Sequence, residues 1–189
     1  VVKMRGGIKL YMAKSATVSN CQVLDCVIQG YSLPSRGTIS HCSGNAAYGP
    51  LLYIHFDSHT SQHIDLEVLP SPHELGDHPL AVMKGRDHCI RFTASGSYTP
   101  ETFRPIIIGY PLRFDFLCVD YPKVPAGYEE HFVRYAPKTY RASRITVNNG
   151  TAHPVVLGEQ SRDNMITSLY SIRDYGTNNT LNTISSANR

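Results

Sequence analysis

The reading of the fold turns on two short stretches, Leu51-Leu52-Tyr53-Ile54-His55-Phe56-Asp57 and His63-Ile64-Asp65-Leu66-Glu67-Val68. In the first, Leu52, Ile54 and Phe56 share one face of an extended chain, and Tyr53, His55 and Asp57 share the other. In the second, Ile64, Leu66 and Val68 face a core while Asp65 and Glu67 face water. A period of two with one wet face is the pattern of half-buried strands, most often antiparallel ones.

The same alternation recurs in Cys89-Ile90-Arg91-Phe92-Thr93-Ala94 and over Leu112–Val119. Shorter apolar runs at Ile8–Met12, Val18–Ile28, Thr38–Cys42, Leu80–Met83, Pro105–Tyr110, His131–Tyr135, Arg141–Val147 and Pro154–Leu157 bring the expectation to about a dozen strands. Asn148-Asn149-Gly150 reads as a tight hairpin turn, because Asn-Gly tolerates positive φ. One helix is expected over Ser161–Arg173, where Met165, Ile166, Leu169 and Ile172 fall on one helical face. The fold class that follows is all-β, an antiparallel β-sandwich of jelly-roll or immunoglobulin-like type with few or no helices. No 20- to 50-residue repeat stands out.

The 189 residues, 41% hydrophobic and 17% charged, suit a globular chain of one domain. The organisation expected is a basic arm over 1–14, a single β-rich domain over 15–173 and a polar tail over 174–189. The arm carries Lys3, Arg5, Lys9 and Lys14 before the first acid, Asp25, and such a cluster suits contact with nucleic acid or an acidic partner. The net charge of +3 does not by itself imply a nucleic-acid binder. No stretch of the roughly 20 residues that a membrane helix needs is both uncharged and continuously apolar, so no membrane span is expected. The chain starts with Val, which reads as a processed product, a polyprotein fragment or an excised piece. Tyr at 12 outnumbers Phe at 6, a bias that fits contact surfaces.

Candidate chemistry is sparse. His55, Asp57, His59 and His63 form a cluster that could ligate zinc or iron if the strand continued past Asp57, whereas a turn at Asp57–Ser61 would disperse them. His73-Glu74-Leu75-Gly76-Asp77-His78 places its histidines five apart, and a metal-binding helix needs four. His41-Cys42 and His88-Cys89 cannot each form a nucleophile–base dyad, because neighbours on a strand point to opposite faces. Asp65, Glu67, Glu129 and Glu130 read as solvated carboxylates. The five cysteines, Cys21, Cys26, Cys42, Cys89 and Cys118, contain no CxxC; Cys21, Cys26 and Cys42 lie close enough in sequence for one bridge among them. Asn149 and Asn178 begin glycosylation triplets that matter only in a secreted protein. No nucleotide or cofactor motif occurs, and no cofactor is expected.

The order of Cys21, Gly30, Cys42, the strand Leu51–Asp57, Glu67-Val68 and Cys89-Ile90-Arg91-Phe92 resembles in outline the receptor-binding envelope glycoprotein of alphaviruses. Cysteines which that pattern requires near His63 and Tyr140 are absent, so the resemblance assigns no family. Since folds of this class host many functions, the functional expectation rests on the lack of a specific motif. It is a non-catalytic structural or recognition protein, in its leading version a viral coat or surface (envelope or capsid) subunit found in the virion or outside the cell. Expected partners are other copies of itself or other structural proteins, with nucleic acid or a host receptor possible. The alternatives are a small metal-dependent or cysteine hydrolase and a host-side β-sandwich binding module.

Overall fold

The computed structural model describes residues 7–10, 14–24, 30–33, 36–45, 50–54, 58–70, 79–95, 104–109 and 141–184. The strands are β1 (Ile8–Lys9), β2 (Ser15–Ser19), β3 (Gln22–Val23), β4 (Tyr31–Ser32), β5 (Arg36–Gly44), β6 (Leu52–Tyr53), β7 (Gln62–Val68), β8 (Ala81–Met83), β9 (Gly85–Arg86), β10 (Cys89–Ala94), β11 (Ile106–Ile108), β12 (Ala142–Ser143), β13 (Thr146–Gly150), β14 (Val155–Leu157), β15 (Ser161–Arg162), β16 (Met165–Ser168), β17 (Ile172–Asp174) and β18 (Thr180–Thr183). Among the described residues every strand pairing is parallel and none is helical.

Strand order shows how the chain runs. One sheet is β1-β4-β6-β8-β11-β14-β17, a second is β18-β16-β13-β10-β7-β5-β2 with β3 also on β5, and a short third is β15-β12-β9. Each circuit runs from the first sheet to the second, three of them through a strand of the third, and the next circuit lies on top of it, as in β8–β9–β10 followed by β11–β12–β13. Among the described residues the protein is therefore a parallel β-solenoid of seven coils. The expected antiparallel sandwich is overturned by this pairing, although the all-β composition stands. Winding parallel strands around one shared core leaves those of the second sheet a wet outer face, so the alternation that usually marks antiparallel sheets appears there in parallel strands, whereas β11 and β14 of the first sheet are buried throughout.

The core is a set of stacks running along the solenoid axis. Val18, Ile39, Ile64, Ile90, Val147 and Ile166 sit one above another in register and all are buried. Cys42, Leu66 and Phe92 form a second stack. On the opposite wall, Leu52, Ala81, Ile106 and Val155 form a third. β-Branched side chains at the 4.7–4.9 Å strand spacing pack against their own kind in the coils above and below.

A column of left-handed residues turns the chain from the third sheet to the second. Ser61, Asp87, Arg144, Asp163 and Asn178 occupy this corner in five successive coils with φ of 54°, 59°, 53°, 55° and 56°. Asp and Asn are the non-glycine residues that tolerate this region best. The residue after each corner is buried or half-buried, and in three of the coils its amide is capped by a side chain from the next. The N–H of Gln62 donates to Nδ1 of His88 at 3.1 Å, that of Ile145 to Oδ1 of Asn164 at 2.9 Å, and that of Asn164 to Oδ1 of Asn179 at 3.0 Å. These buried side chains stand in for ladder bonds that the bend removes.

Three further expectations are corrected. The stretch Ser161–Arg173 is not a helix: it contains β15, β16 and the start of β17, with Asp163 at a corner. Asn148-Asn149-Gly150 is not a hairpin turn but the end of β13, paired to β10 and β16. Strand β18 lies inside the stretch read as a polar tail.

Candidate functional site: a polar groove on the long sheet

The outer face of the second sheet presents polar side chains in columns across the coils. One column runs Thr17, Thr38, His63, Cys89, Thr146, Met165 and Thr180; a second contains Asp65, Arg91, Asn148, Thr167 and Asn182; a third contains Gln22, Ser43, Glu67 and Thr93. Parallel in-register stacking thus brings residues 15 to 57 positions apart in sequence side by side in a flat, mostly polar array.

The array is indented where β5 bulges. Ile39 pairs with Ile64 and Cys42 with Leu66, so Ser40 and His41 together face the single residue Asp65. His41 takes φ of 52° to absorb the extra residue, an irregularity that re-aims a side chain as bulges do. A groove of about 370 Å³ results, lined by His41, Cys42, Ser43, Asp65, Glu67, Arg91 and Thr93. That volume falls within the range of roughly 300–1,000 Å³ common for small-ligand sites.

Arg91 and Asp65 lie side by side on adjacent strands and form a bidentate pair. Nε of Arg91 donates to Oδ1 of Asp65 at 3.0 Å, and Nη2 donates to Oδ2 in a shorter bond. Hydrogen bonding to Asp65, reinforced by its charge, holds the Arg91 guanidinium still more firmly protonated than usual. Both carboxylate oxygens of Asp65 are engaged by this pair, which fixes the planar Arg91 fork across the groove floor. Glu67 stands two residues along the same face of β7, exposed, with Thr93 as its ladder partner on β10.

Those of the residues singled out from sequence that are described do not converge. His55 and Asp57 lie outside the described residues. His59 is buried, and its carbonyl accepts the N–H of Arg86 at 3.0 Å, whereas His63 is exposed on the outer face of β7, so these two histidines are on opposite sides of the wall. Among the described residues no group of three His, Cys, Asp or Glu side chains could hold a metal. Lys3 and Arg5 lie outside the described residues, Lys9 belongs to β1, and Lys14 is exposed beside β2. Cys42 points into the core and His41 out, while His88 points in and Cys89 out, so neither pair forms a dyad.

Asn149 is turned inward. Its Nδ2 donates to the carbonyl of His153 at 2.7 Å and to Ser168 Oγ at 3.0 Å, and its Oδ1 accepts from Thr151 N–H and Oγ1. The amide that would carry a glycan is thereby occupied. Asn178 is an exposed corner residue whose Nδ2 donates to Asp163 Oδ1.

Sequence reasoning discounted Asp65 as a solvated acid and did not weigh Arg91, because nothing in one strand names its neighbour. A signal did exist for the adjoining coils. Thr17-Val18-Ser19-Asn20-Cys21 and Thr38-Ile39-Ser40-His41-Cys42 are the same phrase 21 residues apart, and their residues pair in register. No protein-family model matches the chain, and neither does any curated protein.

Proposed function

We propose that the chain is a non-catalytic recognition subunit that offers the outer face of its long sheet to a hydroxyl-rich partner, a glycan strand, seated at the His41–Asp65–Arg91 groove. The observation that carries the reading is the groove itself: a flat array of Ser, Thr, Asp, Glu and Arg side chains indented beside a fixed bidentate pair. Vicinal sugar hydroxyls both donate and accept, and a carboxylate, a hydroxyl and a guanidinium set at strand spacing match that alternation. A binding rather than a catalytic role is supported by Asp65, whose two oxygens are engaged by Arg91 and so are not offered as a base. In its most specific form the proposal is a viral coat or surface subunit, for which a rigid coil that displays one face to a receptor glycan is well suited.

The test is calorimetric titration of the full chain with a panel of neutral, sialylated and uronate-containing oligosaccharides. One class binds, and Glu67→Gln or Thr93→Val weakens it by about tenfold, the cost of one lost hydrogen bond to a charged or polar partner. His63→Ala, on the same face but outside the groove lining, leaves it unchanged. Absence of binding to every sugar, or equal binding by the groove variants, refutes the reading. Release of a cleaved sugar overturns its non-catalytic part.

A further inference from the structure

We propose that Cys21 and Cys42 form a disulfide that clamps the first coil to the second. The two cysteines are ladder neighbours. The 21-residue register that pairs Ser19 with Ser40 resumes with Gln22 opposite Ser43, and Ser43 N–H donates to the Cys21 carbonyl at 3.0 Å. Asn20 and His41 precede them with matching φ of 55° and 52°, so both strands bend alike and carry their cysteines to the same place. Cys42 belongs to the core, and Cys21 packs against that core from a half-buried position. Parallel neighbours sit about 4.8 Å apart, inside the roughly 4.4–6.8 Å Cα window of disulfides.

Each thiol donates to the carbonyl two residues before it, Cys21 to Ser19 and Cys42 to Ser40, both at 3.3 Å. The two therefore lean the same way, and a rotation of one side chain brings the sulfurs together. The Tyr31 hydroxyl lies 3.0 Å from the carbonyl of Cys21 and 2.8 Å from that of Ser43, and its one proton is shared between the two strands.

The oxidant is a small disulfide. The more exposed Cys21, as thiolate, attacks one sulfur of oxidised glutathione; that S–S bond breaks and one glutathione leaves as thiolate. Cys42 then gives its proton to solvent and attacks Cys21 Sγ, releasing the second glutathione. Two protein thiols become one disulfide, and one oxidised glutathione becomes two reduced ones. Burial, together with the charge of Cys21 beside it, pushes the Cys42 thiol up, which leaves Cys21 to react first.

The experiment incubates the native full chain with oxidised glutathione, alkylates the remaining thiols and maps the peptides by mass spectrometry. The expected product is a Cys21–Cys42 linked peptide with Cys26, Cys89 and Cys118 alkylated, and a Tm raised by roughly 5 °C or more that returns to its starting value with reductant. Cys42→Ser stops at a glutathione adduct on Cys21. Linkage of Cys21 to Cys26 or Cys118, a stable glutathione adduct on Cys21 of the unaltered chain, or no linkage at all overturns the proposal. None of these outcomes depends on the ligand of the groove.

Discussion

Mild acid should loosen this solenoid through one buried imidazole. His88 follows the corner residue Asp87 and is 2% exposed. Its Nδ1 accepts the N–H of Gln62 at 3.1 Å, and its Nε2 lies 2.8 Å from the carbonyl of Lys84. With Nδ1 accepting, the ring proton is on Nε2 and the side chain is neutral, so a second proton would break the bond to Gln62. Burial pushes the His88 pKa down to about 4, with His59 and His63 acting in the same direction and the Lys84 carbonyl and Asp87 opposing it. The unfolded chain takes up that proton near 6.5, so between 6.5 and 4 it binds more protons than the folded one, and stability falls as pH falls. From pH 7 to pH 5 the loss from this group is about 2 kcal/mol, or roughly 4–8 °C in Tm. Urea unfolding at several pH values checks it, with His88→Asn as the comparison, since the Asn side chain caps the equivalent amide at position 164. The variant should be less stable at pH 7 and lose less on acidification. Parallel stability curves for the two proteins between pH 7 and 5 would refute the reasoning.

Two other perturbations probe the same corners. Gly85 has φ of +90°, and a Cβ there would meet the carbonyl oxygen of His59 and Nε2 of His88; Gly85→Ala should cost about 3 kcal/mol or more in thermal or urea unfolding, and a loss under 1 kcal/mol would show that the coil yields. Asn164 is 1% exposed and accepts the amide of Ile145 while its Nδ2 lies 3.5 Å from the Ala142 carbonyl. Asn164→Ala should cost about 2–4 kcal/mol by orphaning those groups, and hydrogen exchange at Ile145 should accelerate with it.

Several strands over the described residues were legible in the sequence, and their direction was not; the strands expected over 112–119 and 131–135 lie outside the described residues. Cys89–Ala94 is a strand with the bounds its alternation implies, and His63–Val68 lies within β7, since inside-outside alternation depends only on a core lying to one side. That alternation is silent on whether the next strand runs up or down. The repeat that would have revealed stacking is blurred because the coils differ in length. In register order the core stack steps from Val18 to Ile39, Ile64, Ile90, Val147 and Ile166, intervals too unequal for a fixed period, with only the first two coils sharing a phrase. The misread helix at Ser161–Arg173 has a related origin: Met165 is exposed and Ile166 buried on β16, while Ile172 belongs to β17, so residues of different faces and strands imitate one helical stripe. The groove was illegible for a different reason. His41 reaches it through a bulge, and Asp65 meets Arg91 across strands 26 residues apart.

The unequal coils also bear on how such a chain can change over generations. Along the central stack the interval from one coil to the next runs from 15 to 57 residues, and the strands pair in register across the longest interval, β10 with β13, as they do across the shortest. The chain that joins one coil to the next can be lengthened, shortened or exchanged with no residue of the neighbouring coils having to be renegotiated, because each coil is held only by the ones directly above and below. The stacked strands and the segments that join them are then free to be inherited at different tempos, one held by stacking and the other open to rapid replacement.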